Sequence, residues 1–309
     1  MITTVTMNTS IDKAYFMDHE VQNGTVMRVS RCRNSAGGKG LNVTKVLRQM
    51  GADVVATGII GGKNGEWIQE NLKKMDIKEE FYVSSAETRV CIAVLAKHSE
   101  TEILESGEEL TDSDLRAFEK KLMELVEKSD VITMSGSLPK GMDAGYYQKL
   151  VELVNRKGKK VILDTSGKSL LEGVKGKPYL IKPNFDELEY VLGESIDGRD
   201  KIKKAVEKLK NLGAQNVLVS LGGEGAIYFG EEILKITIPK IKIHNTVGSG
   251  DSSVAGFAKG LDDGLELNEI LKLSMACGMS NAQSMETGRV IPEDVKEFMG
   301  NITVEVLKI

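Results

Sequence analysis

Between Leu115 and Val219 the chain switches repeatedly between two hydrophobic periods, and this constrains its fold more than any other feature. Leu115, Phe118, Leu122 and Leu125 fall on one face of a helix, and Val131 to Met134 is a short apolar run fit for a strand. Tyr147, Leu150, Val151 and Val154 mark a second helix, closed by Gly158. Val161 to Leu163, Tyr179 to Ile181 and Val217 to Val219 continue the strand series, with a helix through Ile202, Ala205, Val206 and Leu209 before the last of them. Strands separated by helices need crossover connections, so the pattern predicts a mainly parallel sheet with helices on both faces. A chain of 309 residues can form this as one domain, 1–309, with a small appendage.

In such sheets ligands gather at the carboxyl ends of the strands. Asp12, Ser135-Gly136-Ser137, Asp164, Lys182-Pro183-Asn184 and Ser220-Leu221-Gly222-Gly223 fall there. Ile2 to Met7 reads as the first strand, ending at Asn8, and Ser10-Ile11-Asp12 as the turn after it. Ala36-Gly37-Gly38-Lys39-Gly40-Leu41-Asn42 leads into a helix whose apolar face is Val43, Val46, Leu47 and Met50, with Gly51 as its stop. Glycines and a lysine at a helix start suit a bound anion, with a tight strand-to-helix turn and Lys39 in solvent as the bland reading. Val54 to Ile60 is a buried strand, closed by Gly61-Gly62.

Asn245-Thr246-Val247-Gly248-Ser249-Gly250-Asp251 is the second glycine-rich helix start. Gly248 and Gly250 let successive N–H groups face one concavity at a helix N-terminus, and Asp251 puts a carboxylate on the first turn. Together these suit transfer of a phosphoryl group to a hydroxyl, while a plain loop and helix cap is the bland reading. Asn184 and Glu187 pose a similar choice between a capping box and a water-mediated Mg²⁺ site.

Residues 13 to 34, with Arg28, Arg31 and Arg33, lack a helical period and read as extended segments outside the core. Thr88 to Lys97 and Thr101 to Glu105 read as a hairpin, and the two regions together as a flap.

With 41 Lys and Arg against 45 Asp and Glu, the net charge of −4 argues against a nucleic-acid binder relying on bulk charge. Cys32, Cys91 and Cys277 are far apart and lack metal-ligand spacing, which suits a reducing cytoplasm. No apolar run approaches membrane-spanning length. Gly167-Lys168-Ser169 ends like a P-loop, but position 162, where that motif needs glycine, is Ile162.

With Gly37 to Asn42 near the start and Asn245 to Asp251 near the end, the chain resembles the ribokinase-like sugar kinases of the phosphofructokinase B group along its whole length. Within the group, Glu87-Thr88-Arg89, Thr101 to Glu105, Ser135 to Gly141 and Val247 to Asp251 are worded most like kinases of tagatose 6-phosphate, and next like those of fructose 1-phosphate. The resemblance implies a doubly wound α/β domain with a small β lid, formed by about 13–34 and 89–105, which often makes a homodimer contact. It implies ATP and Mg²⁺ as cofactors, a sugar phosphate as the acceptor, and no nucleic-acid or membrane partner.

By the same matching, Asp251 would be the catalytic base, and Gly248, Ser249 and Gly250 the anion hole. Asp12, Gly38, Asn42 and Ser137 would hold the sugar, with Lys39, Arg28 and Arg89 near its existing phosphate. Lys182, Asn184, Ser220, Gly222, Gly225 and Asn281 would surround ATP, with Glu187 and Asn184 at the metal. Asn245 stands where the family often has Asp, so activation by potassium is not implied. Two other classes remain to be separated: a sugar-phosphate-binding regulator on an inactive kinase fold, and a ribose or nucleoside kinase, whose acceptor would leave Lys39, Arg28 and Arg89 unexplained.

Overall fold

The structure is a computed structural model that describes residues 1–308. The first half contains β1 (Ile2–Thr6), β2 (Ser10–Phe16), β3 (Arg31–Gly37), α1 (Lys39–Gln49), β4 (Val54–Gly61), α2 (Gly62–Lys74), β5 (Lys78–Glu79), β6 (Tyr82–Ser84), β7 (Arg89–Leu95) and β8 (Glu100–Leu104). Next come α3 (Asp112–Val126), β9 (Val131–Ser135), α4 (Tyr146–Asn155), β10 (Lys160–Asp164), α5 (Gly167–Gly173), β11 (Leu180–Ile181), α6 (Phe185–Leu192), α7 (Arg199–Leu212) and β12 (Asn216–Ser220). The chain ends with β13 (Ala226–Phe229), β14 (Ile233–Thr237), α8 (Ser249–Asp262), α9 (Leu267–Ala282), α10 (Pro292–Asn301) and β15 (Thr303–Val306).

The main sheet runs β5-β4-β1-β9-β10-β11-β12-β13-β14-β15, with β6 paired to β4. From β5 to β12 neighbouring strands are parallel, as the alternation of periods predicts. The last three strands are antiparallel additions. Both faces are covered, and side chains along each strand alternate between two cores. Ile132, Leu163, Ile181 and Val217 meet Phe118, Tyr147, Leu188 and Val206 on one side. Val131, Ile162, Leu180 and Leu218 meet Val46, Phe257 and Leu271 on the other.

The lid is a separate four-stranded sheet, β3-β2-β7-β8. It begins earlier than the sequence suggests. The break after β1 is confined to Met7–Thr9, and Asp12 lies inside β2, opposite Ser35 and Cys91, not on a turn. Ile11, Tyr15 and Phe16 give that stretch enough β preference to continue as a strand. The base of the lid is tied to the main domain by Ile11, Ala36, Leu41, Ile60, Ile68, Leu72 and Phe81. Among the described residues no helix is long and apolar enough to cross a membrane.

Candidate active site

The amino end of α8 opens on a cleft of about 1390 Å³ between the main sheet and the lid. Gly248 precedes this helix at φ 80°, and a Cβ there would lie 2.6 Å from Thr287 Cγ2, so both the turn and the packing demand glycine. No side chain caps the helix; of its first-turn N–H groups, Ser249 N donates to Thr246 O at 3.1 Å, while those of Gly250 and Asp251 have no carbonyl one turn earlier to bond. An uncapped helix end facing a cleft suits an anion. Gly248, Gly250 and Asp251 line the cleft here. Ser249 and Asn281 brace it from behind: Asn281 Nδ2 donates to Val247 O at 2.9 Å and Ser249 Oγ at 3.1 Å, and Asn281 Oδ1 accepts from Gly288 N.

Asp251 is 6% exposed and accepts from Asn42 Nδ2 at 2.9 Å. Burial pushes its carboxyl above the usual range and Asp164 adds to the shift, against Lys39, Lys182 and the Asn42 bond. A carboxyl so raised holds a proton more readily than a solvated one, as a general base requires. Lys39 Nζ lies 3.6 Å from Asp164 Oδ2, and Lys182 Nζ 3.7 Å from Asp164 Oδ1. Burial alone would raise Asp164, but the two ammonium groups outweigh it and hold the acid below its ordinary range. Asp164 in turn drives Lys39 upward. Lys39 therefore stands among three buried carboxylates, with Asp251 and Glu187 acting on it as well.

Asn184 and Glu187 do form a capping box: Asn184 Oδ1 accepts from Glu187 N at 2.9 Å, and Glu187 Oε2 from Asn184 N at 3.1 Å. Both also line the cleft, so capping does not remove them from it. Burial, then Asp164, raises the Glu187 carboxyl, against Lys39 and Lys182. Among the described residues no three His, Cys, Asp or Glu side chains gather as a metal site. One buried carboxylate without such partners fits a Mg²⁺ ion held chiefly by water and phosphate oxygens, the usual habit of that ion.

On the lid side, Asp12 lines the cleft and accepts from Ser10 Oγ at 2.6 Å. Gly37 makes room for it, since a Cβ there would sit 2.1 Å from the Asp12 carboxyl carbon. Gly38, Lys39, Asn42, Arg89, Lys182, Asn184 and Ser220 line the same cleft. Six residues expected in contact with ligands do not: Ser249 and Asn281 stand behind the helix end, Ser137 is turned to Asn8 Nδ2, Gly222 and Gly225 shape the bend after β12, and Arg28 is exposed on the loop between β2 and β3. Arg33, further along, is the arginine of that segment in the cleft. Arg89 is partly committed to the carbonyls of Asn8 and Glu105.

Sequence reasoning passed over Lys45 and the segment Met285 to Pro292, which line the cleft too. Lys45 was detectable: Lys39, Asn42, Lys45 and Gln49 follow helical spacing as a polar stripe beside the apolar one of Val43, Val46 and Leu47. Nothing comparable marks Met285 to Pro292, an irregular segment between helices.

An anion-binding helix end and a buried carboxylate, in a cleft with room for two reactants beneath a β lid, define a ribokinase-like phosphotransferase. The family follows: the chain matches the pfkB family carbohydrate kinases over residues 5–294 and belongs to that family. Use of ATP comes with that membership. A tagatose-6-phosphate kinase of Staphylococcus epidermidis is 42% identical over 98% of this chain and 99% of its own. Escherichia coli phosphofructokinase-2, solved with potassium, has a TM-score of 0.90 at 26% identity, covering 97% of this chain and 98% of that one. A "possible 1-phosphofructokinase" of Thermotoga maritima has a TM-score of 0.88 at 28% identity over the full length of both chains.

Proposed function

We propose that the protein, acting as a single domain, transfers the γ-phosphoryl group of ATP to a primary hydroxyl of a ketohexose phosphate, with tagatose 6-phosphate giving the 1,6-bisphosphate. The observation that carries the chemistry is Asp251, a buried carboxylate with a raised pKa on the first turn of an uncapped helix. The S. epidermidis relative supports the choice of sugar.

In this reading the sugar lies against Asp12, Gly38 and Asn42, with Arg33 and Arg89 toward its existing phosphate. ATP lies along Lys182, Asn184 and Ser220. The acceptor oxygen bonds to the γ-phosphorus as the bond to the β–γ bridging oxygen breaks, and the hydroxyl proton passes to Asp251 Oδ1. The N–H groups at the start of α8, with Lys39 and Lys182, take the charge on the transferring group. Closure of the lid keeps water from competing as acceptor. Mg²⁺, held by Glu187 and Asn184 through water, would neutralise phosphate charge when bound.

Fructose 1-phosphate, attacked through its C6 hydroxyl, is the second reading, supported by the T. maritima likeness. The lid supports a homodimer. Ile103 on its outer face is 60% exposed, apolar surface that a second copy can cover. Dependence on ATP supports a cytoplasmic location.

A coupled ADP-release assay with tagatose 6-phosphate, fructose 1-phosphate and fructose 6-phosphate, compared by kcat/KM, tests the reading. Preference for tagatose 6-phosphate is the expected outcome. Preference for fructose 1-phosphate reverses the orientation of the sugar, and no turnover with any of the three overturns the proposal.

A further inference from the structure

Lys45 is 6% exposed, lines the cleft, and has no carboxylate within ion-pair distance among the described residues. Its Nζ hydrogen-bonds to one acceptor, the neutral amide oxygen of Asn42, at 3.1 Å. The other end of that amide donates to Asp251 Oδ2 at 2.9 Å. Lys45, Asn42 and Asp251 thus form a line from the middle of α1 to the first turn of α8.

An ammonium group donates and cannot accept, whereas an amide does both. Asn42 must therefore turn its oxygen to Lys45 and its NH₂ to Asp251. A donor facing Asp251 suits the ionised carboxylate and ties up Oδ2. The reversed amide would suit only a protonated Asp251 donating to Asn42 Oδ1, and that state cannot act as a base.

We propose that Lys45 is a positioning residue for the catalytic base: it holds the Asn42 amide in one orientation, so that Asp251 stays ionised with Oδ1 turned over to the acceptor hydroxyl. This rests on Asp251 being the base of the proposed reaction. Burial draws the Lys45 ammonium below the usual lysine range, with Asp12 on β2, Asp251 on α8 and Glu286 before α10 opposing, and Arg33 on β3 assisting. Around Asp251 the other charges are Lys39, Asp164 and Lys182, all of which stay in place when Lys45 is replaced.

Three variants separate orientation from packing. Lys45→Met keeps length without a donor, Lys45→Gln supplies an amide that lets Asn42 turn either way, and Lys45→Arg keeps a donor-only cation. Against wild type turning over its sugar phosphate, Met and Gln are expected to lower kcat about tenfold, part of the ~10² to 10⁴ a general base contributes. KM for the sugar should change less than about twofold, because uniform binding is untouched. The acid limb of the kcat profile should move to higher pH by about one unit, the scale of a nearby buried charge. Lys45→Arg should restore both kcat and the limb. An unmoved limb, with only the melting temperature lowered, would make Lys45 structural. A raised KM at unchanged kcat would make it an anion contact instead. Either result overturns the proposal, whereas a wild type that turns over none of the sugars counts against the proposed reaction itself.

Discussion

Replacing Asp164 by Asn removes the one charge shared by Lys39 and Lys182 while keeping the shape of the side chain. At the observed 3.6 and 3.7 Å each pair is worth roughly 4 kcal/mol of attraction at an effective dielectric near 20. The two do not count equally. Lys39 is 43% exposed and can turn into solvent, so its loss is small. Lys182 is 7% exposed and would be left as a buried, uncompensated cation, which costs about 3 to 5 kcal/mol. Asp251 remains nearby and recovers part of this, so a destabilisation of about 3 kcal/mol is expected. With an unfolding entropy of roughly 0.65 kcal/mol/K for a chain of this length, Tm should fall by about 5 °C, measured by calorimetry at pH 7. The sign of the pH dependence follows from the depressed Asp164 acid. Its stabilisation is present above the unfolded pKa and is lost as pH falls through the lower folded value, so the two proteins should converge below about pH 4. A Tm within about 1 °C of wild type at pH 7 would refute this account.

Asp251→Asn should lower kcat by about 10² to 10⁴. The same change should raise Tm at neutral pH, since burial disfavours the ionised acid in the folded state, and that gain should shrink as pH falls through the raised value. Gly40→Ala would set a Cβ 2.2 Å from Thr6 Oγ1 and 2.7 Å from Val5 O, prising α1 off β1. A loss of about 1 to 3 kcal/mol in urea unfolding is expected. Glu187→Gln should raise the Mg²⁺ concentration for half-maximal rate with little change in KM for the sugar. By light scattering the protein should weigh twice its 33.7 kDa chain mass, and Ile103→Asp should return it to one.

The parallel sheet was legible because its strands are short, apolar and separated by amphipathic helices with a clear buried stripe. Other elements hide their period. From Ile270 to Ala282, α9 is buried on almost every side, so it shows no polar face to set against an apolar one. Helix α2 starts with Gly62, which reads as the close of the preceding strand, and contains Gly65, a poor helix former. Asp12, Lys39, Asn42 and Asp251 were identifiable by motif, but their distances to one another depend on crossovers that no local pattern records. Arg28 and Arg33 show the same limit: both read as arginines of one extended segment, but Arg28 falls on the loop before β3, and Arg33 falls inside the strand at a position that lines the cleft.

The amino end of α8 is fastened by Asn281 and Gly288, roughly thirty to forty residues beyond Gly248 and Gly250. During synthesis the ribosome therefore releases Gly248 to Asp251 well before the residues that brace them. A nascent chain can complete its parallel strands up to β12 and still lack a working phosphate cradle. Phosphotransfer competence thus appears in one step near the end of translation, and chains halted before Asn281 should be catalytically silent.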